Sequence, residues 1–323
     1  MITPELLRNC PIHPRPWGQV WWAKFLTLNY AFPPKTEVQI EGFDNIPTDR
    51  PVCLALNHTD RYNCWPLQWK MLRERNAFSV AWVKAKYYQH PFTRYFLLST
   101  SNIPLASRGY VIIKEFSKIV GRKPTDEEYR FLRDLLDEKI EVNEQSLLST
   151  SSECRQFLSP SPVQSLNKIN TLFNDLSNEV VTLNEKALAL GHNILVFPQG
   201  TRSKRLIRGH IGMAQMTQRL GIDIVPVGCM GSDICYNGNV PWAKGGTITY
   251  RVGTPLTIHG PELSPYRISE NFVPFSHHAQ MKYGQQFRSI TDIVMNRIND
   301  LLDEPYKMDS NQEQSTNSST RFT

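Results

Sequence analysis

The sequence lacks several features that would place the protein across a membrane, in the secretory route or on a nucleic acid. No stretch reaches the roughly 18 consecutive apolar residues of a transmembrane helix, so none is expected. The first residues, MITPELLRNC, lack the apolar centre of a signal peptide. There is no long Lys/Arg run and no nucleic-acid-binding motif, so a nucleic acid is not expected as a partner.

The cysteine residues are few and do not have the spacing of a metal-binding or redox motif. The six cysteines stand at positions 10, 53, 64, 154, 229 and 235, and none forms a C-x-x-C pair. Cys53 lies in an apolar run, as a small buried hydrophobic residue does. We therefore expect a reducing compartment, the cytoplasm, and no metal site.

The charge that is present is mildly basic. A net charge of +6 and a pI near 8.9 fit an anionic partner such as membrane phosphate or a phosphorylated substrate. The net charge alone does not distinguish a membrane surface from a phosphorylated substrate as the partner.

Short apolar runs alternate with helical patterns along two parts of the chain. Strands are expected at 38–47, 51–56, 77–83, 101–107, 193–197, 223–230 and 247–253. Helices are expected at about 63–76, 90–100 and 210–220. This alternation predicts an α/β fold, with a central, mostly parallel or mixed sheet flanked by helices.

Three other regions differ from that alternation. Residues 111–190 are polar, charged and helical in pattern, with a serine-rich break at 149–165 that we interpret as a flexible link. The polar end of the chain is expected to be a disordered tail. The predicted domains are an N-terminal aromatic amphipathic segment (1–35), a main domain (36–306) with a helical insertion at about 111–190, and the tail (307–323).

The stretch PWGQVWWAKFLTLNYAF (16–32) is rich in aromatic residues at helical spacing. It fits a helix packed on the core. It equally fits a helix at a membrane surface, because tryptophan and tyrosine favour the boundary between water and lipid.

Four polar or proline-containing patterns coincide with the expected strands. Three follow strand ends: Asn57-His58, Ser107-Arg108-Gly109 and FPQGTRS (197–203). The fourth is Val225-Pro226, inside a strand. Loops at the carboxyl ends of strands are where α/β sheets build their sites, so one shared site is expected there.

In this order and spacing, the four patterns resemble the blocks of the glycerolipid acyltransferases, a family that includes the 1-acyl-glycerol-3-phosphate acyltransferases. NHTDRYN (57–63) resembles the NHxxxxD block, Arg108 the arginine of the second block, FPQGTRS the FPEGTRS block, and Val225-Pro226 the fourth. The likeness covers about residues 36–110 and 191–256. It implies direct acyl transfer from a thioester, acyl-CoA or acyl carrier protein, with no metal or tightly bound cofactor.

The residue types suit that chemistry. Attack of a hydroxyl on a thioester needs a base, and the imidazole of His58 titrates near neutral pH. Guanidinium groups suit a phosphate-bearing acceptor, which makes Arg108 and Arg202 candidate ligands, with Lys204 and Arg205 as outer charge. Gly200 allows close approach of the backbone, and the Thr201 hydroxyl is a hydrogen-bond donor.

Three departures from the family pattern matter. Asn63 replaces the family's aspartate, so either Asn63 or Asp60 is the candidate partner that orients His58. Gln199 replaces the glutamate and keeps a hydrogen-bonding oxygen for a polar acceptor. The third departure is the insertion, which lengthens the separation of Arg108 and Phe197.

The sequence thus predicts a cytoplasmic, peripheral membrane enzyme that acylates a lysophospholipid, most simply 1-acyl-glycerol-3-phosphate. The resemblance also favours the membrane interpretation of residues 16–32. Three alternatives stay open: a non-catalytic lipid-binding relative, which Asn63 favours; an acyltransferase for a head-group lysolipid, an ornithine-type lipid or a glycolipid; and an interaction scaffold built on the insertion.

Overall fold

The computed structural model describes residues 2–238 and 240–309, which fold around one seven-stranded sheet. The strands are β1 (Thr36–Glu41), β2 (Cys53–Leu56), β3 (Ser79–Lys84), β4 (Ile103–Leu105), β5 (Asn193–Val196), β6 (Ile224–Met230) and β7 (Gly246–Val252). Their order is β1-β7-β6-β2-β5-β3-β4. Within this sheet β6 and β7 pair antiparallel and the other neighbours pair parallel. The predicted α/β fold with a mixed sheet is confirmed.

Helices cover the sheet and form the 111–190 region. They are α1 (Pro4–Arg8), α2 (Trp17–Ala31), α3 (Trp65–Arg75), α4 (Pro91–Ser99), α5 (Arg108–Val120), α6 (Asp126–Leu136), α7 (Glu144–Leu148), α8 (Ser152–Leu158), α9 (Pro162–Ala189), α10 (Gly212–Leu220), α11 (Ser232–Cys235) and α12 (His277–Asp300). Each helix in the described ranges is too short or too polar to cross a bilayer.

The central strands are apolar along their whole length because they have sheet neighbours on both sides and helices on both faces. Every residue of β2 and β5 is buried. In the register, Ala55 of β2 lies opposite Val196 of β5 and Pro226 of β6. The residues that follow β2 and β5 therefore emerge side by side at the same edge of the sheet.

The interpretation of the serine-rich stretch as a flexible link is wrong. It contains α8, and Cys154, Phe157 and Leu158 on that helix are buried in the core. The Ser151 side chain accepts a hydrogen bond from the backbone N–H of Cys154, as the N-cap of α8. Ser161 caps α9 in the same way. Serine-rich composition is typical of linkers, but serine is also a favoured N-cap residue, and two of these serines cap the starts of helices.

Helix α12 has no counterpart among the helices expected from the sequence, although it packs against β6 and α10. Of the predicted disordered tail, 310–323 lies outside the described residues, and the domain boundaries stay predictions.

Candidate active site

His58 lies two residues beyond the end of β2, at the edge of the sheet where the polar loops meet. Its ring stacks on that of Phe197, the first residue after β5, with centroids 4.0 Å apart and planes at 20°. The adjacent register of β2 and β5 produces this contact. Two of the patterns found in the sequence therefore form one structure.

Asn63 is the side chain that orients the His58 ring. The Asn63 amide N–H donates to the carbonyl oxygen of Asn57 at 2.7 Å, which directs its Oδ1 towards Nδ1 of His58 at 3.2 Å. Because Oδ1 is an acceptor, Nδ1 of His58 carries the proton. Nε2 is then left unprotonated and able to accept a proton from a substrate.

Asp60, the other candidate partner, is engaged elsewhere. Its carboxylate accepts hydrogen bonds from the Thr59 hydroxyl at 2.9 Å and from the backbone N–H of Tyr62 at 2.7 Å. Burial raises the pKa of Asp60, and these hydrogen bonds oppose that rise. The structure therefore places Asn63 beside His58. Asp60 instead makes its hydrogen bonds within the turn at 59–62.

Two residues hold this loop in place: Asn57, which belongs to the NHTDRYN pattern, and Tyr250, which sequence reasoning missed. The Asn57 side chain accepts from the backbone N–H of Cys229 at 2.7 Å and donates to its carbonyl at 2.9 Å. The Tyr250 hydroxyl donates to the carbonyl oxygen of Asn63 at 2.7 Å. A tyrosine in the middle of an apolar strand does indicate a nearby polar partner, because a buried hydroxyl needs a hydrogen bond.

Gln199 ties the second loop to the first. Its Oε1 accepts a hydrogen bond from the backbone N–H of His58 at 2.8 Å, and the backbone N–H of Ser203 donates to the His58 carbonyl at 2.8 Å. Gln199 is buried, and its Nε2 makes no hydrogen bond within the described residues. The side chain therefore positions the histidine backbone.

The neighbouring residues of the FPQGTRS loop have different environments. Gly200 has φ +65°, and a Cβ built there would lie 2.8 Å from Cδ2 of His210, so the turn requires glycine. Thr201 and Arg202 are exposed. Arg202 is near enough to His58 for its charge to act on the imidazole.

The His58 imidazole is neutral at pH 7. Burial lowers its pKa from 6.5 to about 4; the hydrogen bond with Asn63 opposes this, and the charges of Arg202 and Lys84 add to it. A neutral imidazole is the form that acts as a base. Between pH 6.5 and about 4 the unfolded chain binds a proton that the folded chain does not, so this group's contribution to stability is lost as the pH falls through that range.

A cavity of about 760 Å³ opens beside these loops, lined by Phe197 and Gly200. Its apolar and aromatic lining includes Trp82, Leu105, Tyr110, Tyr129, Phe173, Val196, Ile211, Met213, Phe275 and Met281. Its basic lining comprises Lys84, Lys86, Arg108, Arg133 and Lys139. An amphiphile with an anionic group and an apolar chain matches such a surface.

Two of the basic residues stand out. Lys84, the last residue of β3, is half-buried, and burial followed by the charges of Lys86 and Arg202 lowers its pKa. Arg108 begins α5 directly after β4, and its Nη1 lies 2.7 Å from Oδ1 of Asp137. Sequence reasoning identified Arg108 but not the role of Lys84, a lysine at the end of a buried strand.

The outer charges of the FPQGTRS loop contact the last described residues. Lys204 lies over the Tyr306 ring at 5.7 Å, and Arg205 pairs with Asp309 at 3.2 Å. The backbone N–H of Leu206 donates to the Tyr306 carbonyl at 2.8 Å. Within the described ranges, no group of three or more His, Cys, Asp or Glu side chains is arranged to hold a metal ion.

No protein-family model matches this sequence, and no curated protein sequence matches it. Among solved structures, the chain is similar to the 1-acyl-sn-glycerophosphate acyltransferase PlsC from Thermotoga maritima. The two are 12% identical with a TM-score of 0.39, over 90% of this chain and 80% of that one. A similarity this distant carries no inference about chemistry, so the functional argument depends on the site itself.

Proposed function

We propose that the protein is an O-acyltransferase that moves a fatty-acyl group from an acyl thioester to the hydroxyl of a lysophospholipid. The observation that carries the proposal is the neutral His58, whose Nδ1 is held by Asn63 beside a cavity with an apolar and a cationic lining. The simplest acceptor of this class is 1-acyl-glycerol-3-phosphate. The donor is acyl-CoA or acyl carrier protein.

The proposed reaction is a direct transfer. Nε2 of His58 takes the proton of the acceptor hydroxyl as the hydroxyl oxygen attacks the thioester carbonyl. The C–S bond then breaks, and the leaving thiolate takes up the proton. Lys84 and Arg202 lie close enough to His58 to attract the negative charge of a substrate or of the attacked carbonyl oxygen.

We further propose that the protein lies on the cytoplasmic surface of a membrane; the exposed aromatic residues support contact with a membrane surface. Trp17 and Trp21 of α2 are exposed, as are Phe92 and Tyr95 of α4, and the rings of Trp17 and Tyr95 lie 5.7 Å apart. The other face of α2 packs on the core, as the first interpretation of this segment predicts, and the exposed face supports the membrane proposal. The part of this surface on α4 follows residues 84–86 in sequence, and these three residues line the cavity.

The first experiment measures transfer from a labelled acyl thioester to a panel of lysolipids in detergent micelles. We expect His58→Ala to lower kcat by about 10²–10⁴-fold, the usual contribution of a general base. His259→Ala, which changes an exposed histidine outside the cavity, is the matched control and should keep full activity.

A second candidate is a lipid-binding protein without turnover, and the uncharged Asn63 favours it because an amide stabilises an imidazolium less than a carboxylate does. Tight lysolipid binding that survives His58→Ala, with no turnover from any donor, would establish this second candidate and end the first.

Membrane docking has its own test, co-sedimentation with vesicles that contain anionic lipid. Trp21 is 71% exposed, and we expect Trp21→Ser to weaken binding by roughly tenfold because the indole no longer enters the interface. The control is Leu148→Ser, which removes an apolar side chain that is 70% exposed on α7. An equal effect of both variants would argue against docking through α2.

A further inference from the structure

The last described residues pack against the loops that carry the candidate active site, and Tyr306 lies at the centre of this contact. The chain is fixed to the rest of the fold on both sides of Tyr306. Before it, Nη1 of Arg251 on β7 lies 2.7 Å from Oδ1 of Asp303. After it, the backbone N–H of Met308 donates to Oδ1 of Asn299 at 2.8 Å. Tyr306 itself is buried, so its ring and backbone have a fixed place beside the loops.

Tyr306 is hydrogen-bonded to two different loops. Its carbonyl oxygen accepts from the backbone N–H of Leu206, just beyond the FPQGTRS pattern, at 2.8 Å. Its hydroxyl accepts from the backbone N–H of Gly231 at 3.0 Å and donates to Oδ1 of Asp233 at 2.8 Å. Gly231 is the residue directly after β6. Tyr306 therefore holds the loop after β5 against the loop after β6.

The first of these loops is bonded directly to the candidate base. The backbone N–H of Ser203 donates to the carbonyl oxygen of His58 at 2.8 Å. Ser203 ends the FPQGTRS pattern, and a short stretch of chain (203–206) leads from it to Leu206, which is bonded to Tyr306. His58 and Tyr306 are therefore connected through this stretch, with a hydrogen bond at each end of it.

The second loop leads back to the same histidine. Asn57, the residue before His58, accepts from the backbone N–H of Cys229 and donates to its carbonyl oxygen. Cys229 lies on β6, two residues before Gly231, whose backbone N–H donates to the Tyr306 hydroxyl. The contacts thus form a closed network around the base, and Tyr306 closes it from the C-terminal end of the described chain.

We propose that Tyr306 is a positioning residue for the candidate active site, because it closes the network that holds the His58 loop and the FPQGTRS loop together. Tyr306 does not line the cavity, so it acts through the two loops and not by contact with a ligand there. The inference rests on the proposed function for the role of His58 as a base. Tyr306 lies outside the ranges 36–110 and 191–256, over which the sequence resembles the acyltransferases.

The test is the titration of the His58 imidazole, followed by NMR of the full chain with labelled histidine and assigned with His58→Ala. Tyr306→Phe removes the hydroxyl and keeps the aromatic ring. When the network opens, water reaches His58 and Arg202 moves away from it, and both changes weaken the causes that lower its pKa. Lys84, the other cation that acts on His58, lies on β3 outside the network. We therefore expect the imidazole pKa to rise from about 4 by about half a unit or more.

Activity gives a second measure of the same effect. We expect Tyr306→Phe to lower kcat by about tenfold or more, since a small displacement of a catalytic group far from the mutation is costly to the rate. The thermal midpoint is measured alongside, so that a loss of folded protein is not counted as a loss of rate. Tyr266→Phe, which removes the hydroxyl of a half-buried tyrosine outside the cavity, is the matched control and should leave the His58 pKa and kcat unchanged.

Asp233 offers a pair of variants that tests the network even if Tyr306→Phe does not fold. Asp233→Ala removes the acceptor of the Tyr306 hydroxyl and should raise the His58 pKa in the same direction as Tyr306→Phe. Asp233→Asn removes the charge but keeps an acceptor oxygen, so it should leave that pKa at its wild-type value. Added to Tyr306→Phe, Asp233→Ala should change the pKa little further, because both substitutions break the same contact.

An unchanged His58 pKa in both Tyr306→Phe and Asp233→Ala would overturn the proposal, even if the stability of the variants falls. The titration does not depend on turnover, which separates this inference from the proposed function. If no acyl transfer is found with any donor but the pKa responds, the enzyme proposal fails and the positioning of His58 by Tyr306 stands. If transfer is found and the pKa does not respond, the enzyme proposal stands and the inference fails.

Discussion

The cavity joins two regions that are built in different ways: the loops at the edge of the sheet and the wall formed by α5–α9. The loops carry His58, Asn63 and Gln199; one hydrogen bond joins His58 to Asn63 within the loop after β2, and another joins His58 to Gln199 in the loop after β5. The wall brings in Arg133, Asp137 and Phe173 from helices that pack on the sheet. The comparison teaches that the two sides of one cavity can be built by separate parts of one chain, so that substitutions can be directed at one side at a time.

The largest expected effect is a loss of stability in the wall formed by α5–α9. Phe157 of α8 is buried, with its ring 5.4 Å from that of Phe116 on α5. We expect Phe157→Ala to lower the free energy of unfolding by about 3–5 kcal/mol, because it removes apolar contacts and leaves a void. Denaturant unfolding measures this change.

The control for Phe157 is Val163→Ala, which changes an exposed residue at the start of α9 and should cost no more than about 0.5 kcal/mol. A loss below about 1 kcal/mol for Phe157→Ala would mean that α8 is not firmly packed and that the serine-rich stretch is closer to a link than the structure indicates.

A smaller effect, on the pKa of His58, tests the role of the loops at the edge of the sheet. Asn63→Asp places a carboxylate at Nδ1 of His58 and should raise the imidazole pKa from about 4. The acid limb of the pH–rate profile then moves to higher pH, and kcat at neutral pH rises by about tenfold or more because the imidazolium is better stabilised.

Asn178→Asp on the exposed face of α9 is the matched control and should leave the pH profile in place. An acid limb that does not move in Asn63→Asp would show that His58 is not the group whose protonation limits the rate. A buried carboxylate also lowers stability, so the thermal midpoint is measured alongside.

The sequence predicted the loop region better than the wall, for a physical reason. β2 and β5 are continuous apolar runs followed by polar patterns, and His58 and Asn63 are five residues apart in one loop. Such features are local. The contact of Arg108 with Asp137 depends on how α6 returns to the sheet. The support of Asn63 by Tyr250 joins residues 187 positions apart, so a pattern indicates at most that the tyrosine hydroxyl needs a partner and not which residue supplies it.

The serines of the wall show the opposite error, in which local composition misleads. The serine-rich composition around Ser151 and Ser161 predicts a link, yet each of these serines caps the start of a helix. The apolar residues between them, Phe157 and Leu158, were the better signal, because such side chains are seldom placed in an exposed link.

The pairing of β1 with β7 has a consequence for the time course of folding on the ribosome. Thr36 pairs with Gly246, and the β7 residue Tyr250 is also needed to anchor the loop of His58. At a synthesis rate of about 5–20 residues per second, β1 leaves the ribosome roughly 10–40 s before its partner. During that interval β1 lacks its neighbour β7, and its free edge can pair with a wrong strand. The yield of folded protein should therefore depend on translation speed and on early protection by chaperones.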